Sequence, residues 1–151
     1  MGIDYGRARM GLALADTLTG VARPLDTLVR VNRNEDMRRL REVVREHEVK
    51  QVVVGLPLRL DGTRGDMAEE AARFAERVRK QFGVAVEMVD ERLTSWEAER
   101  LLEERAGRSL HADARRARQK RGAGQGKASV DAIAATVILE QYLQQSTDKS
   151  I

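Results

Sequence analysis

The 151-residue chain has no cysteine, two prolines and only 3% aromatic residues. Without cysteine it forms no disulfide, thiolate metal site or thiol nucleophile. The shortage of rings leaves Val, Leu, Ile, Ala and Met to fill the core, which suits helices packed on a small sheet. It also leaves few platforms on which unpaired bases could stack. No apolar run reaches the roughly 18 residues of a membrane span, and Met1 to Gly6 has neither the basic start nor the apolar middle of a secretory leader. Gly6 stands where a myristoylation motif needs Ser or Thr. These absences point to a cytoplasmic protein with no membrane partner.

Charge is plentiful: 34% of residues carry it, with a net +3. It is unevenly spread. Residues 105 to 127 hold Arg105, Arg108, Arg115, Arg116, Arg118, Lys120, Arg121 and Lys127 against Asp113 alone, a local +7 that leaves −4 elsewhere. Such a block favours a polyanion such as nucleic acid, through phosphate neutralisation and counterion release; the plainer alternative is a solvated helix face.

The length allows one core and not two, so residues 1–145 are expected to form a single domain and 146–151 a frayed tail. Strands are expected over Gly2 to Tyr5, Met10 to Ala15 and Ala22 to Val31, parted by Gly6 and by Thr19-Gly20. Met37, Leu40, Val43 and Val44 mark a helix between Asn34 and Glu48, and Val52-Val53-Val54 a buried strand. After a loop over residues 55 to 66, Asp66 and Glu69 suggest a capping box for a helix carrying Met67, Ala71, Phe74, Ala75, Val78 and Phe82, which Gly83 ends. Val84 to Val89 is the next strand. Thr94 with Glu97 suggests a second capping box, residues 106 to 127 a mobile basic loop, and Val130 to Leu143 a last helix whose Ala132, Ala134 and Ala135 permit close packing. The whole reads as α/β: three antiparallel strands, then parallel additions, in a mixed five-stranded sheet flanked by helices.

Three acids could meet on such a frame: Asp4 on the first strand, Glu91 just past the last strand, and Asp131 in the first turn of the last helix. Converging carboxylates repel unless cations neutralise them, and hard oxygen ligands suit Mg²⁺ or Mn²⁺. Paired metals serve phosphodiester hydrolysis well. Each acid also has a structural explanation: an Asx-turn before Gly6 for Asp4, an exposed Asp-Glu-Arg run for Glu91, and the helix dipole for Asp131.

Four strings of the sequence together resemble the YqgF/RuvX family of pre-16S rRNA nucleases and Holliday junction resolvase-like proteins. They are Gly2-Ile3-Asp4-Tyr5-Gly6 with Arg9 to Asp16, Val53 to Pro57 with Asp61-Gly62, Val89 to Thr94, and Val130 to Ala135. They run in order between residue 1 and about residue 143. The resemblance implies a ribonuclease H-like fold, a divalent-metal nuclease, and a role at the end of the small-subunit ribosomal RNA, with the family's acidic triad falling on Asp4, Glu91 and Asp131. Arg7 departs from the family, which commonly has a small polar residue there.

Cations beside the acids are the candidates for holding substrate: Arg7, Arg9, Arg59, Arg92 and Lys127, the arginines able to clamp a phosphate bidentately. Surface solvation is the alternative for Arg7, Arg9 and Arg59. No organic cofactor is expected. Gly126-Lys127 is no P-loop, because Arg121 and Ala128 stand where Gly and Ser or Thr are needed. His47 and His111 are isolated, unlike metal ligands, and Trp96 is most simply a packing residue. The leading expectation is a nuclease for precursor ribosomal RNA, with the pre-ribosomal small subunit as a partner. Its rivals are a resolvase for branched DNA, which would want a two-fold dimer rather than a monomer, and a non-catalytic RNA- or ribosome-binding module.

Overall fold

The computed structural model describes residues 1–59, 61–91 and 129–148. In chain order they form β1 (Gly2–Asp4), β2 (Arg9–Ala15), β3 (Ala22–Val29), α1 (Arg33–Glu46), β4 (Gln51–Leu56), α2 (Asp66–Phe82), β5 (Ala85–Asp90) and α3 (Val130–Asp148). The five strands make one sheet in the order β3-β2-β1-β4-β5. β1, β2 and β3 pair antiparallel, while β4 pairs parallel to β1 and β5 parallel to β4. This is the mixed five-stranded sheet, three antiparallel strands and then parallel additions, expected from the pattern.

Side-chain alternation along the strands sends successive residues to opposite faces. On one face Ile3, Val52 and Val54 meet Met37, Leu40 and Val44 of α1 and Phe74, Ala75 and Val78 of α2. On the other, Ala13, Val53 and Val89 meet Ala135, Ile138 and Leu139 of α3. Burial on both faces explains why β4 is an unbroken Val52-Val53-Val54 run rather than an alternating one.

Local chemistry closes the connections. The Asp16 carboxylate accepts from the Leu18 amide at 2.8 Å, and Gly20 supplies φ +68° for the β2–β3 turn. Asn32 caps α1 by accepting from the Glu35 amide at 2.9 Å, and Gly83 ends α2 in the left-handed region at φ +64°.

The boundaries correct the sequence reading in several places. β3 stops at Val29 rather than Val31, because the Val31 amide turns to the Asp36 carboxylate at 2.9 Å. Asp66 does not cap α2: Gly65 holds that position without a side-chain bond, so Asp66, as the first helical residue, contributes charge to the helix dipole instead. α3 continues to Asp148, so residues 146–148, expected to fray, are helical. The Thr94–Glu97 box, Trp96, His111 and the basic stretch 105–127 lie outside the described residues.

The topology has a consequence for the site. β1, β3, β4 and β5 point the same way, and α1 and α2 each return from the edge where their strand ends. α3 runs likewise, with Asp131 near β2 at Gly11, Ala135 and Leu139 over Gly2, and Tyr142 beside Gln51 at the start of β4. All three helices therefore begin at the edge where Asp4 and Glu91 lie.

Candidate active site

Asp4 is the last residue of β1 and pairs in register with Gly11 of β2. Alternation from Ile3 directs its side chain to the α3 face. Glu91 follows β5 directly, and its amide donates to the Leu56 carbonyl at 3.1 Å, carrying the β4–β5 pairing one step further. Its carboxyl group lies over Gly55, where any Cβ would overlap it and press on Ile138 at 2.7 Å. Glycine is thus required at 55 by close approach. Asp131 is the second residue of α3, and the Ser129 hydroxyl caps that helix by accepting from the Ala132 amide at 3.1 Å. Ser129 Oγ is also in hydrogen-bond contact with Thr27 Oγ1, which ties the helix start to β3. Gly11 lets α3 settle on β2, since a Cβ there would overlap the Asp131 carbonyl.

Asp4 and Glu91 are half-buried and in hydrogen-bond contact, with the Glu91 carboxyl donating to the Asp4 carboxylate. Burial pushes Glu91 up to about 8, and the charges of Asp4 and Asp90 add to it. Asp4 is raised as well, chiefly by burial and further by the charge of Asp131, while the bond from Glu91 opposes the shift. Near neutral pH the pair thus holds a proton in place of a countercharge. Asp131 is in reach of that pair electrostatically but has its own partner: Arg9 Nε donates to its Oδ2 at 3.1 Å.

The other expected cations divide. Arg7 is committed to α2, forking onto Glu70 with Nη2–Oε1 at 2.7 Å and Nε–Oε1 at 3.1 Å. Arg59 lies in the β4–α2 loop with its guanidinium against Gly65, and its backbone amide donates to the Thr63 carbonyl at 2.9 Å. Arg92 and Lys127 lie outside the described residues.

Sequence reasoning missed the anchor of the turn that follows Asp4. Arg30 donates to Asp36 at 3.1 Å, to Tyr5 Oη at 3.0 Å and to the Gly6 carbonyl at 3.1 Å. Its guanidinium lies over the Tyr5 ring at 5.0 Å, and that ring packs on Phe74 at 5.1 Å. Asp36 is only 2% exposed. Its place beside Met37, one turn before Leu40, put a charge on the apolar stripe of α1, and that was the available signal.

The donor chemistry of the Asp4–Glu91 pair fits a hard divalent cation, because such an ion would take the place of the shared proton with oxygen ligands already converging. Asp131, held by Arg9, stands apart. Among the described residues no group of three or more His, Cys, Asp or Glu side chains is placed to hold a metal ion. Two clefts of about 690 Å³ each lie elsewhere, one between the β2–β3 turn and the far end of α3, the other between β3 and α1, and none of the three acids lines either. Among the described residues the three acids lie at the strand-end edge where the helices begin, away from both clefts. Among the described residues no helix is long and apolar enough to cross a membrane.

Residues 1–145 match the family described as "RuvX: Holliday junction resolvase". The chain is 46% identical over 145 residues, 96% of each chain, to a protein of Anaeromyxobacter sp. (strain K) named "Putative pre-16S rRNA nuclease". Relatives of the same name occur in Koribacter versatilis (strain Ellin345), 39% identical over 96% of this chain and 86% of that one, and in Thermoanaerobacter pseudethanolicus, 34% identical over 99% and 98%. A solved structure described as "T. thermophilus RuvC in complex with Holliday junction substrate" is 19% identical, with a TM-score of 0.49 over 97% of this chain and 94% of that one.

Proposed function

The chain belongs to the RuvX family, and from that membership we propose that it is a cytoplasmic, divalent-metal-dependent nuclease that processes the 5′ end of precursor 16S ribosomal RNA. The relatives' name supports the substrate. The observation that carries the chemistry is the contact between two half-buried carboxyl groups, Asp4 and Glu91, at the strand-end edge. A pure binding module gains nothing from like charges pressed together before a polyanion.

In this reading Asp4 and Glu91 would hold Mg²⁺ or Mn²⁺, and Asp131 would be available to the same ion once a substrate phosphate draws Arg9 away. Once bound, the cation supplies Lewis acidity at the phosphodiester and lowers the pKa of nearby water. The residues of the chain do the rest. Arg9, released from Asp131, clamps a phosphate oxygen, and Arg59 faces the polymer from the β4–α2 loop. Arg92, next to Glu91 in sequence, Lys127, four residues before Asp131, and the basic stretch 105–127 are further cations for the backbone. Gly55 and Gly11 keep the Glu91 and Asp131 segments close to the sheet, and Arg30 fixes the turn behind Asp4.

The family description, which names a Holliday junction resolvase, keeps branched DNA as the second reading. The deciding experiment incubates labelled RNA bearing the small-subunit precursor end, and in parallel a four-way DNA junction, with Mn²⁺, Mg²⁺ or chelator. Metal-dependent cutting of the RNA is expected, with Asp131→Asn slower by roughly two orders of magnitude, the scale of losing a group at the reacting centre. Preference for the junction would make the chain a resolvase, and binding without cutting would make it a non-catalytic module.

A further inference from the structure

Five arginines gather at the active edge on the sheet face opposite α3. Arg7 lies in the β1–β2 turn, Arg30 just after β3, Arg33 at the first position of α1, and Arg73 and Arg77 one helical turn apart on α2. Arg30 and Phe74, the neighbour of Arg73, both touch Tyr5, the residue after Asp4. The group therefore borders the turn that carries the first acid.

The guanidinium groups sense one another. Burial, followed by the charges of Arg33, Arg30 and Arg73, lowers the pKa of Arg77. Glu70 is held below the usual carboxylate range first by its bond from Arg7, with the charges of Arg7, Arg73 and Arg30 adding to it. Two acids ion-pair within the group, Glu70 with Arg7 and Asp36 with Arg30, and Asp66 also attracts Arg7. Among the described residues Arg33, Arg73 and Arg77 form no ion pair. Arg33 and Arg73 are exposed and Arg77 half-buried.

Crowded cations without countercharge cost stability, and that cost is recovered when a polyanion supplies the missing negative charge. The N-termini of α1 and α2 at the same edge add partial positive charge. We infer that Arg33, Arg73 and Arg77 form a docking track for the phosphodiester backbone of nucleic acid, running from the Asp4 turn over the α1/α2 face. None of the three belongs to the basic stretch 105–127 of the sequence. It rests on the nuclease reading only in taking nucleic acid as the polyanion. Arg7 and Arg30, already paired, shape the track, while the three arginines with no ion pair among the described residues bind.

The test measures binding of labelled single-stranded RNA to the full chain in chelator, so that nothing is cut, across a salt series. Neutralising three phosphate contacts in Arg33→Gln/Arg73→Gln/Arg77→Gln should weaken binding on the order of ten- to a hundredfold at physiological salt and flatten the slope of log affinity against log salt by about 2. The Lys triple should restore most of that slope. Arg45→Gln, at the far end of α1, should change neither quantity. Glutamine keeps a high helix propensity, and circular dichroism verifies the fold; should the triple not fold, Arg73→Gln alone is expected to flatten the slope by about 0.7. Affinity and slope equal to wild type in a folded variant would overturn the track.

Hydrolysis of bis(p-nitrophenyl) phosphate with Mn²⁺, a substrate too small to reach the track, is expected to be unchanged in the Gln triple. This separates the two ideas. If wild type cuts neither the small diester nor RNA while the triple still loses affinity, the nuclease reading falls and the track stands. If cutting is intact and the triple binds as wild type does, the track falls and the nuclease stands.

Discussion

At the residue scale the candidate site is defined by a proton. Glu91, pushed up to about 8, holds in the folded state a proton that it would release near 4.5 when unfolded. A raised pKa contributes stability that is fully present below the unfolded value and lost as pH rises through the folded one. Metal-free protein should therefore lose stability steadily between about pH 4.5 and pH 8 from this group, each tenfold step in proton affinity being worth about 1.4 kcal/mol. Glu91→Gln keeps the hydrogen bond to Asp4 and cannot ionise. Urea denaturation in chelator at several pH values should show that slope in wild type and a much flatter one in the variant; parallel slopes would mean the pair is not protonated as described. Arg9 offers a second check at this scale. It neutralises Asp131 in the free protein, so Arg9→Gln should leave that carboxylate free for a cation. Mn²⁺ affinity by titration calorimetry should rise several-fold while affinity for RNA falls. A fall in both would mean that Arg9 positions Asp131 instead of competing for it.

At the element scale, the site depends on how closely α3 lies on the sheet. Gly2 and Gly11 permit that approach, with Ala132 and Ala135 on the helix side. Gly11→Ala places a methyl group on the Asp131 carbonyl, so strand and helix must separate at the helix start. Overpacking of this kind costs about 1–3 kcal/mol, and thermal melting should register it together with a loss of RNA cleavage well beyond the loss of folded protein. Activity falling only in step with folded fraction would show that Asp131 does not depend on that contact. The elements themselves were legible in the sequence because periodicity records burial: Val52-Val53-Val54 announced a strand covered on both faces, and the Phe74 to Phe82 stripe announced α2. Asp4, Glu91 and Asp131 were legible as candidates because each stands at an element end. The pairings were not. Local pattern carries no information about which acid meets which, so Glu91 bonded to Asp4, Asp131 taken by Arg9, and Arg7 diverted to Glu70 emerged only in three dimensions. Gly11 stood in an expected strand and Gly55, which ends up inside β4, in an expected loop, and neither announced the group lying over it.

At the scale of the whole molecule, the proposed metal site has proton and cation compete for one place, and global stability should report the winner. A divalent ion that binds the folded chain and not the unfolded one stabilises it by RT ln(1 + [L]/Kd). Because the ion requires Glu91 ionised, its apparent Kd should improve nearly tenfold for each unit of pH below the Glu91 value of about 8 and level off above it. The melting temperature should consequently fall with pH in chelator, as argued for Glu91 alone, yet the increment produced by a fixed concentration of Mn²⁺ should grow from pH 6 to pH 8. Ca²⁺, larger and less demanding in geometry, serves as a comparison in the same scan. Asp4→Asn removes one side of the pair and is expected to abolish the Mn²⁺ increment at every pH while also weakening the pH dependence in chelator. If the Mn²⁺ increment were instead the same at pH 6 and pH 8, the ion would be binding away from Asp4 and Glu91, and the carboxyl pair would be a structural hydrogen bond with no part in holding metal.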